Sequence, residues 1–219
     1  MRLAVISDIH GNLPAFETVL EDLPDVDRII CAGDVVGYNP WPQACVDIVR
    51  DRGIPCVQGN HDRAVASSTG FRFNHMAQAG VEYATKTLDN GALEWLRGLP
   101  NTMSLYDGQV RIVHGHPEDP DRYTYPDDFS PDLLGDESLL VMGHTHIQHA
   151  ETFPEGIVLN PGSIGQPRDH DPRAAYAIVD LSANTVDLQR VAYDIERVRD
   201  RIVAEGLPPG LGTRLENGR

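Results

Sequence analysis

The amino-acid sequence predicts a layered α/β sandwich, and three observations lead there. Short apolar runs alternate with helix-like stretches over the first hundred residues. A second set of strand-like runs follows, separated by turn signals. The chain of 219 residues, 41% hydrophobic, is enough for one sizeable core and short for two. Residues 3–7 form an apolar run ending at Asp8, as a buried strand would. Asn12 is placed to cap a helix over 13–22, with Pro14 tolerated in its first turn. Residues 28–32 read as a strand, 42–52 as a helix and 54–58 as a third strand. That β-α-β-α-β alternation predicts parallel strands joined by right-handed crossovers. Helical stretches follow over 74–88 and 92–97. Residues 103–106 and 110–114 flank Asp107-Gly108, a strong hairpin signal. Further strands are expected over 139–143, 157–160, 174–180 and 185–191, with Asn184 in the last turn. A helix over 194–205 closes a single domain of residues 1–205. The Pro/Gly-rich residues 206–219 are expected to form a mobile tail.

Composition excludes several classes. With 23% charged residues, disorder, collagen and simple coiled coil are ruled out. No run of about eighteen apolar residues occurs, and Met1 leads directly into a strand-like segment rather than a basic, then apolar, leader. A cytoplasmic protein is therefore expected, with Cys31, Cys45 and Cys56 as buried free thiols. The net charge is −15, aspartates (22) outnumber glutamates (11) two to one, and Lys86 is the only lysine. A field of that sign repels polyanions, so extended nucleic acid is not an expected partner. Adaptation to high salt accounts for the acidity better than GC-rich codon bias, which favours Arg over Lys without setting the net charge.

Five short strings each place a metal-type ligand just after a strand-like run: Asp8-Ile9-His10, Gly33-Asp34, Gly59-Asn60-His61-Asp62, His114-Gly115 and Gly143-His144-Thr145-His146. Open α/β sheets bind ligands at the carboxyl ends of their strands, so these loops can converge. Each string alone is common; all five in order are not.

The set resembles the calcineurin-like metallophosphoesterase superfamily, whose pattern is D-x-H, G-D, G-N-H-D/E, a later H, and G-H-x-H. The match spans Asp8 to His146. The short length and the string from Asn160 to Arg168 (NPGSIGQPR) look most like its small bacterial and archaeal phosphodiesterase branch. The resemblance implies a four-layer sandwich, two mixed β-sheets packed face to face between helices. It implies two divalent ions, with Asp8, His10, Asp34 and His146 holding one and Asp34, Asn60, His114 and His144 the other. Asp34 would bridge them, and a hydroxide caught between the ions would attack phosphorus in line. Mixed oxygen and nitrogen ligation suits Mn²⁺ best, with Fe, Zn²⁺ or Ni²⁺ as alternatives. His61 would act on the leaving oxygen or the transition state, its ring oriented by Asp62. Asn60, Arg168 and His116 are candidates for touching substrate, Arg168 because guanidinium matches phosphate oxygens.

The expected activity is hydrolysis of a small phosphate ester, a diester before a monoester. Three alternatives stay open: an inactive scaffold, such as the superfamily's retromer subunit, a phosphomonoesterase, and a dinucleoside polyphosphate hydrolase. Every ligand position carries a competent side chain, against the scaffold. The string Gly33-Asp34-Val35-Val36-Gly37-Tyr38 lacks the arginine of the G-D-x-V-D-R-G phosphatases, against the last group. Specificity is assigned to the loops at 37–41, 64–73 and 118–130. A homo-oligomer is compatible with the sequence.

Overall fold

A computed structural model describes residues 1–67 and 73–219. Residues 68–72, inside one of the three expected specificity loops, lie outside the described residues. Among the described residues, nine strands make two mixed sheets. The first sheet is ordered β2-β1-β8-β9, from β1 (Arg2–Ile6), β2 (Arg28–Cys31), β8 (Ala174–Asp180) and β9 (Thr185–Val191). The second is ordered β3-β4-β5-β7-β6, from β3 (Thr102–Leu105), β4 (Val110–Val113), β5 (Leu139–Val141), β6 (His149–Thr152) and β7 (Ile157–Asn160). Strand β1 runs parallel to β2 and antiparallel to β8; β4, β5 and β7 are mutually parallel.

The period of two along β1 shows how the layers form. Leu3 and Val5 point between the sheets and meet Ile112, Val141, Leu159 and Val179. Ala4 and Ile6 point the other way, onto Phe16 and Val19 of α1 (Leu13–Asp22) and Val46 and Val49 of α2 (Pro42–Asp51). Asn12 caps α1 by accepting from the Ala15 amide at 3.3 Å. Helices α3 (Asn60–Ser67), α4 (His75–Thr87) and α5 (Asn90–Gly98) extend this layer, and α6 (Ile195–Ala204) packs beside α1. The outer face of the second sheet is covered by Phe129, Leu133 and Leu134, from a segment holding two 3₁₀ turns, Pro126–Asp128 and Pro131–Leu133.

Three expectations are corrected. The third strand, over 54–58, is one parallel bridge between Cys31 and Cys56. Pro55 has no N–H to extend the ladder, and the Gln58 amide already turns away to the Pro100 carbonyl at 2.8 Å. Strand β6 goes unforeseen because its sequence, HAET, lacks an apolar alternation; it pairs at the sheet edge with β7. The mobile tail is folded. Residues Gly210–Leu215 form α7, and Leu207, Leu211 and Leu215 are buried against Tyr38, Ala77, Val198 and Ile202. Leu211 and Leu215, at i and i+4, share one face of α7 and Leu207 packs beside them from the preceding turn, a pattern masked in the sequence by Pro208, Pro209, Gly210 and Gly212.

Candidate metal centre

All seven expected ligands come together in one buried cluster, because the loops that carry them leave neighbouring strand ends on the same side of the two sheets. Asp8 and His10 follow β1, Asp34 follows β2, His114 follows β4, and His144 and His146 follow β5. Asn60 opens α3 directly after the Cys56 bridge. Five of the seven have left-handed backbones: Asp8 (φ 52°), His10 (50°), Asp34 (53°), His144 (68°) and His146 (61°). Each such residue costs about 1–3 kcal/mol and persists only where its surroundings over-determine it. The packing is tight enough to do so. A Cβ on Gly59 would sit 2.0 Å from Asp34 Oδ1, and one on Gly165 would sit 2.0 Å from the Ile9 carbonyl oxygen.

The two carboxylates are built alike. Asp8 Oδ2 accepts from Ser7 Oγ (2.6 Å) and the His144 amide (3.1 Å). Its Oδ1 has no hydrogen bond among the described residues and faces His146 Nε2 (3.2 Å) and His10 Nε2 (3.6 Å). Asp34 Oδ1 accepts from the His61 amide at 2.8 Å. Its Oδ2 has no such bond and faces His114 Nε2 (3.3 Å) and His10 Nε2 (3.6 Å). One oxygen of each is thus tied back, and the other aimed into the cluster.

The imidazoles complete the arrangement. His10 Nδ1 lies 3.0 Å from the Val36 carbonyl, His146 Nδ1 2.6 Å from that of Gln166, and His114 Nδ1 2.7 Å from that of Ala32. A carbonyl only accepts, so each Nδ1 carries the proton and each Nε2 offers its lone pair inward. His144 instead sets Nε2 against the Asp121 carbonyl at 3.2 Å, which leaves Nδ1 as its inward atom. His10 Nε2 and His146 Nε2 are only 3.0 Å apart, and His114 Nε2 is 3.2 Å from Asn60 Oδ1. Lone pairs packed against lone pairs beside buried carboxylate oxygens are unfavourable unless a cation sits among them. The donor set therefore fits divalent metal, and the ligand atoms fall into groups of one-ion size: Asp8, His10 and His146; Asp34, His114 and His144. His10, Asp34 and His61 form a third such group.

The charges agree. Burial alone would raise Asp8, but His146 and His10 pull it well below the usual carboxylate range; His114 and His61 do the same for Asp34. Burial pushes His144 down to about 4 and His146 to about 3, so both rings are neutral at pH 7, as ligands must be. His114 is the exception: burial opposes its proton, but Asp34 and Asp8 outweigh burial and raise it to about 10, so in the metal-free chain its Nε2 holds a second proton that a bound cation would displace.

The remaining expected residues divide. His61 stands in the cluster, against His10, Tyr38 and Phe73 with ring centroids 4.6–4.8 Å apart. Its Nδ1 has no hydrogen bond among the described residues. Arg168 lines the same cleft and donates from Nη2 to Tyr38 Oη (3.0 Å) and Gln166 Oε1 (3.0 Å). Asp62 does not orient the His61 ring. Its oxygens accept from the amides of Asp34 (2.8 Å), Val35 (2.9 Å), Val36 (3.2 Å) and Gly59 (3.0 Å). It is a clamp that ties the start of α3 to the Asp34 loop. Burial and the Asp34 charge hold its carboxyl up, at about 7, against those four donors. His116 also departs from expectation: it lines a separate cavity with Arg111, Glu118 and Arg122, and its Nδ1 accepts from the Glu118 amide at 3.1 Å. The cleft is also lined by Tyr123, from the 118–130 loop expected to set specificity, and by Arg214, Asn74 and Ala77, which were not foreseen. Tyr123 stacks on His144 at 4.0 Å, and Arg214 enters from α7. Neither Tyr123 nor Arg214 belongs to a motif; the leucines of α7 were the one available sign of the second.

Two sheets between flanking layers carry a buried carboxylate–imidazole cluster at their strand ends, and with the family match over residues 1–184 this makes the chain a metal-dependent phosphoesterase. A family model described as the calcineurin-like phosphoesterase superfamily domain matches residues 1–184, and the chain belongs to that superfamily. The crystal structure of a metallophosphoesterase from Sphaerobacter thermophilus is 36% identical, with a TM-score of 0.87 over 100% of this chain and 99% of that one. Protein MJ0912 of Methanocaldococcus jannaschii is 34% identical over 99% of this chain and 98% of its own length. Phosphodiesterase YfcE of Escherichia coli is 28% identical over 82% of this chain and 88% of its own length. Among the described residues no helix is long and apolar enough to cross a membrane.

Proposed function

We propose that the protein is a dinuclear-metal phosphodiesterase acting on small phosphate esters. The observation that carries this is the pair of half-tethered carboxylates, Asp8 and Asp34, each with one oxygen tied to an N–H or O–H donor and the other buried without a hydrogen-bond donor among inward-facing ring nitrogens. Asp8, His10, Asp34 and His146 would hold one ion, and Asp34, Asn60, His114 and His144 the other. Asp34 serves both, since its free oxygen faces His10 on one side and His114 on the other. Manganese is the ion of choice for this mixed oxygen–nitrogen set. When bound, the ions supply Lewis-acid polarisation of the phosphoryl oxygens and make a water acidic enough to react near neutral pH.

The chain's own residues do the rest. His61 lines the cleft, and burial lowers its proton affinity well below the ordinary histidine value. A neutral ring has one N–H to donate, so its role is a hydrogen bond to the phosphoryl or leaving oxygen as charge develops there. Arg168, held by Tyr38 and Gln166, presents a fixed guanidinium to phosphate oxygens. The relative named phosphodiesterase YfcE supports a diester, as does the absence of the phosphatase-type arginine after Asp34.

The test is hydrolysis of bis-p-nitrophenyl phosphate by manganese-loaded protein, with metal content read alongside. Wild type is expected to turn over with two ions per chain. Asp34→Asn should lose ions and activity together, by more than the roughly 10–100-fold that loss of a supporting hydrogen bond costs. His61→Ala should keep both ions and lose roughly 10²–10⁴-fold in kcat. Two full equivalents of metal in Asp34→Asn would overturn the bridging assignment, and a wild type inert toward every phosphodiester offered would sink the activity.

A further inference from the structure

Tyr38 lines the metal cleft from the loop that carries Asp34. Its backbone is left-handed (φ 54°), a conformation that a bulky side chain adopts only under constraint. The constraint comes from both sides. A Cβ on Gly80 of α4 would sit 2.2 Å from the Tyr38 amide nitrogen, and one on Gly37 would sit 2.5 Å from His61 Nδ1. The ring is wedged among the imidazoles of the site, edge-on to His10 at 4.7 Å and tilted on His61 at 4.6 Å. It also shares an apolar cluster with Ala77 and with Leu207, Leu211 and Leu215 of the terminal segment. A phenylalanine ring would fill that pocket as well, so what tyrosine adds is its hydroxyl.

Arg168 donates to Tyr38 Oη from Nη2 at 3.0 Å. A guanidinium only donates, so this contact occupies a lone pair of the phenol oxygen and leaves its O–H hydrogen uncommitted. Among the described residues that hydrogen has no acceptor. A phenol titrates near about 10, so the hydrogen is retained at neutral pH. Accepting from a cation also polarises the O–H and makes it a stronger donor. Gln166 Oε1 holds Arg168 from its Nε (3.3 Å) and Nη2 (3.0 Å). Two fixed donors therefore stand side by side in a cleft of about 180 Å³ that also takes in Asp34, His144 and His146.

We propose that Tyr38 is a further substrate-binding residue, its hydroxyl donating a hydrogen bond to a non-bridging oxygen of the scissile phosphate beside Arg168. This rests on the phosphodiesterase reading above. The phenol keeps its proton throughout, and no bond is made or broken at Tyr38.

Two measurements on manganese-loaded protein test it: calorimetric binding of inorganic phosphate, and turnover of bis-p-nitrophenyl phosphate. Tyr38→Phe keeps the ring and is expected to weaken phosphate binding and lower kcat/KM by about tenfold or more, with two ions retained. The same change in an Arg168→Ala background separates touching the substrate from merely holding the arginine. It should still cost roughly threefold or more in phosphate binding. Wild-type affinity in Tyr38→Phe, a cost that vanishes once Arg168 is gone, or loss of metal along with phosphate would each overturn the assignment. Tyr38-dependent phosphate binding by a wild type inert toward the diester supports the hydroxyl contact and sinks the phosphodiesterase reading instead.

Discussion

Asp8 and Asp34, on the floor of the cleft, stand within three residues of a strand end, whereas Tyr123 and Arg214, on its rim, come from segments that carry no strand. On the floor, backbone and side chain are fixed together: left-handed residues, carbonyls locking ring tautomers, and glycines where a methyl would collide. On the rim, packing does most of the placing, with a single main-chain contact holding the Arg214 guanidinium. Tyr123 is 45% exposed and stacks on the rings of His144 and Tyr125, and Arg214 rides on a helix anchored by Leu211 and Leu215, far in sequence from every candidate ligand. The difference teaches that the candidate metal donors and the rest of the cleft wall are put in place by different means. The floor demands ångström geometry from local turns; the rim needs a side chain delivered to a place.

That contrast can be broken most severely at Asp62. Asp62→Ala leaves four buried amides without an acceptor, so a loss on the order of 4 kcal/mol is expected. Metal affinity should fall with it. A variant as stable as wild type, with both ions and only kcat reduced, would restore the catalytic role that the contacts deny it.

The rim is sharpened at α7. Leu211 is fully buried, so Leu211→Ala should cost about 2–5 kcal/mol in denaturant unfolding. Metal content should stay unchanged, since none of the seven candidate ligands lies on that helix. Unaltered stability would mean that residues 206–219 behave as the loose tail their composition suggests.

The smallest effect is one of pH, and it belongs to the floor alone. In metal-free protein His61, His144 and His146 hold protons less readily than in the unfolded chain, where a histidine titrates near 6.5. The unfolded state therefore binds more protons as pH falls from 6.5 toward 4, and stability drops across that window. Asp62, held up near 7, opposes one of the three. Thermal melts should show a net fall from pH 6.5 to 4, removed in part by His144→Asn, while Arg214→Gln leaves the profile unmoved. A flat profile in the metal-free wild type would contradict the neutral-ring assignment.

Much of this was legible in advance. The seven donors were readable because each sits within a short string beside a strand, where local order and spatial position coincide. Strand 54–58 misled because an apolar run with a proline can cross a core without forming a ladder. Asp62 and His116 misled for the opposite reason: adjacency to a ligand in sequence said nothing about which way the side chain turns. Asp62 turns to four amides, and His116 to a neighbouring cavity.

By itself, then, the sequence marked most of the strands and helices through their periodicity and picked out the short strings that carry the candidate donors, while the four-layer order and the grouping of those donors came from the family resemblance. Only the tertiary structure decided which oxygen of each carboxylate is free, that Asp62 is a clamp, and that a Pro/Gly-rich terminus brings an arginine to the cleft. Those outcomes depend on contacts between residues far apart in the chain, and such contacts leave no local pattern to read.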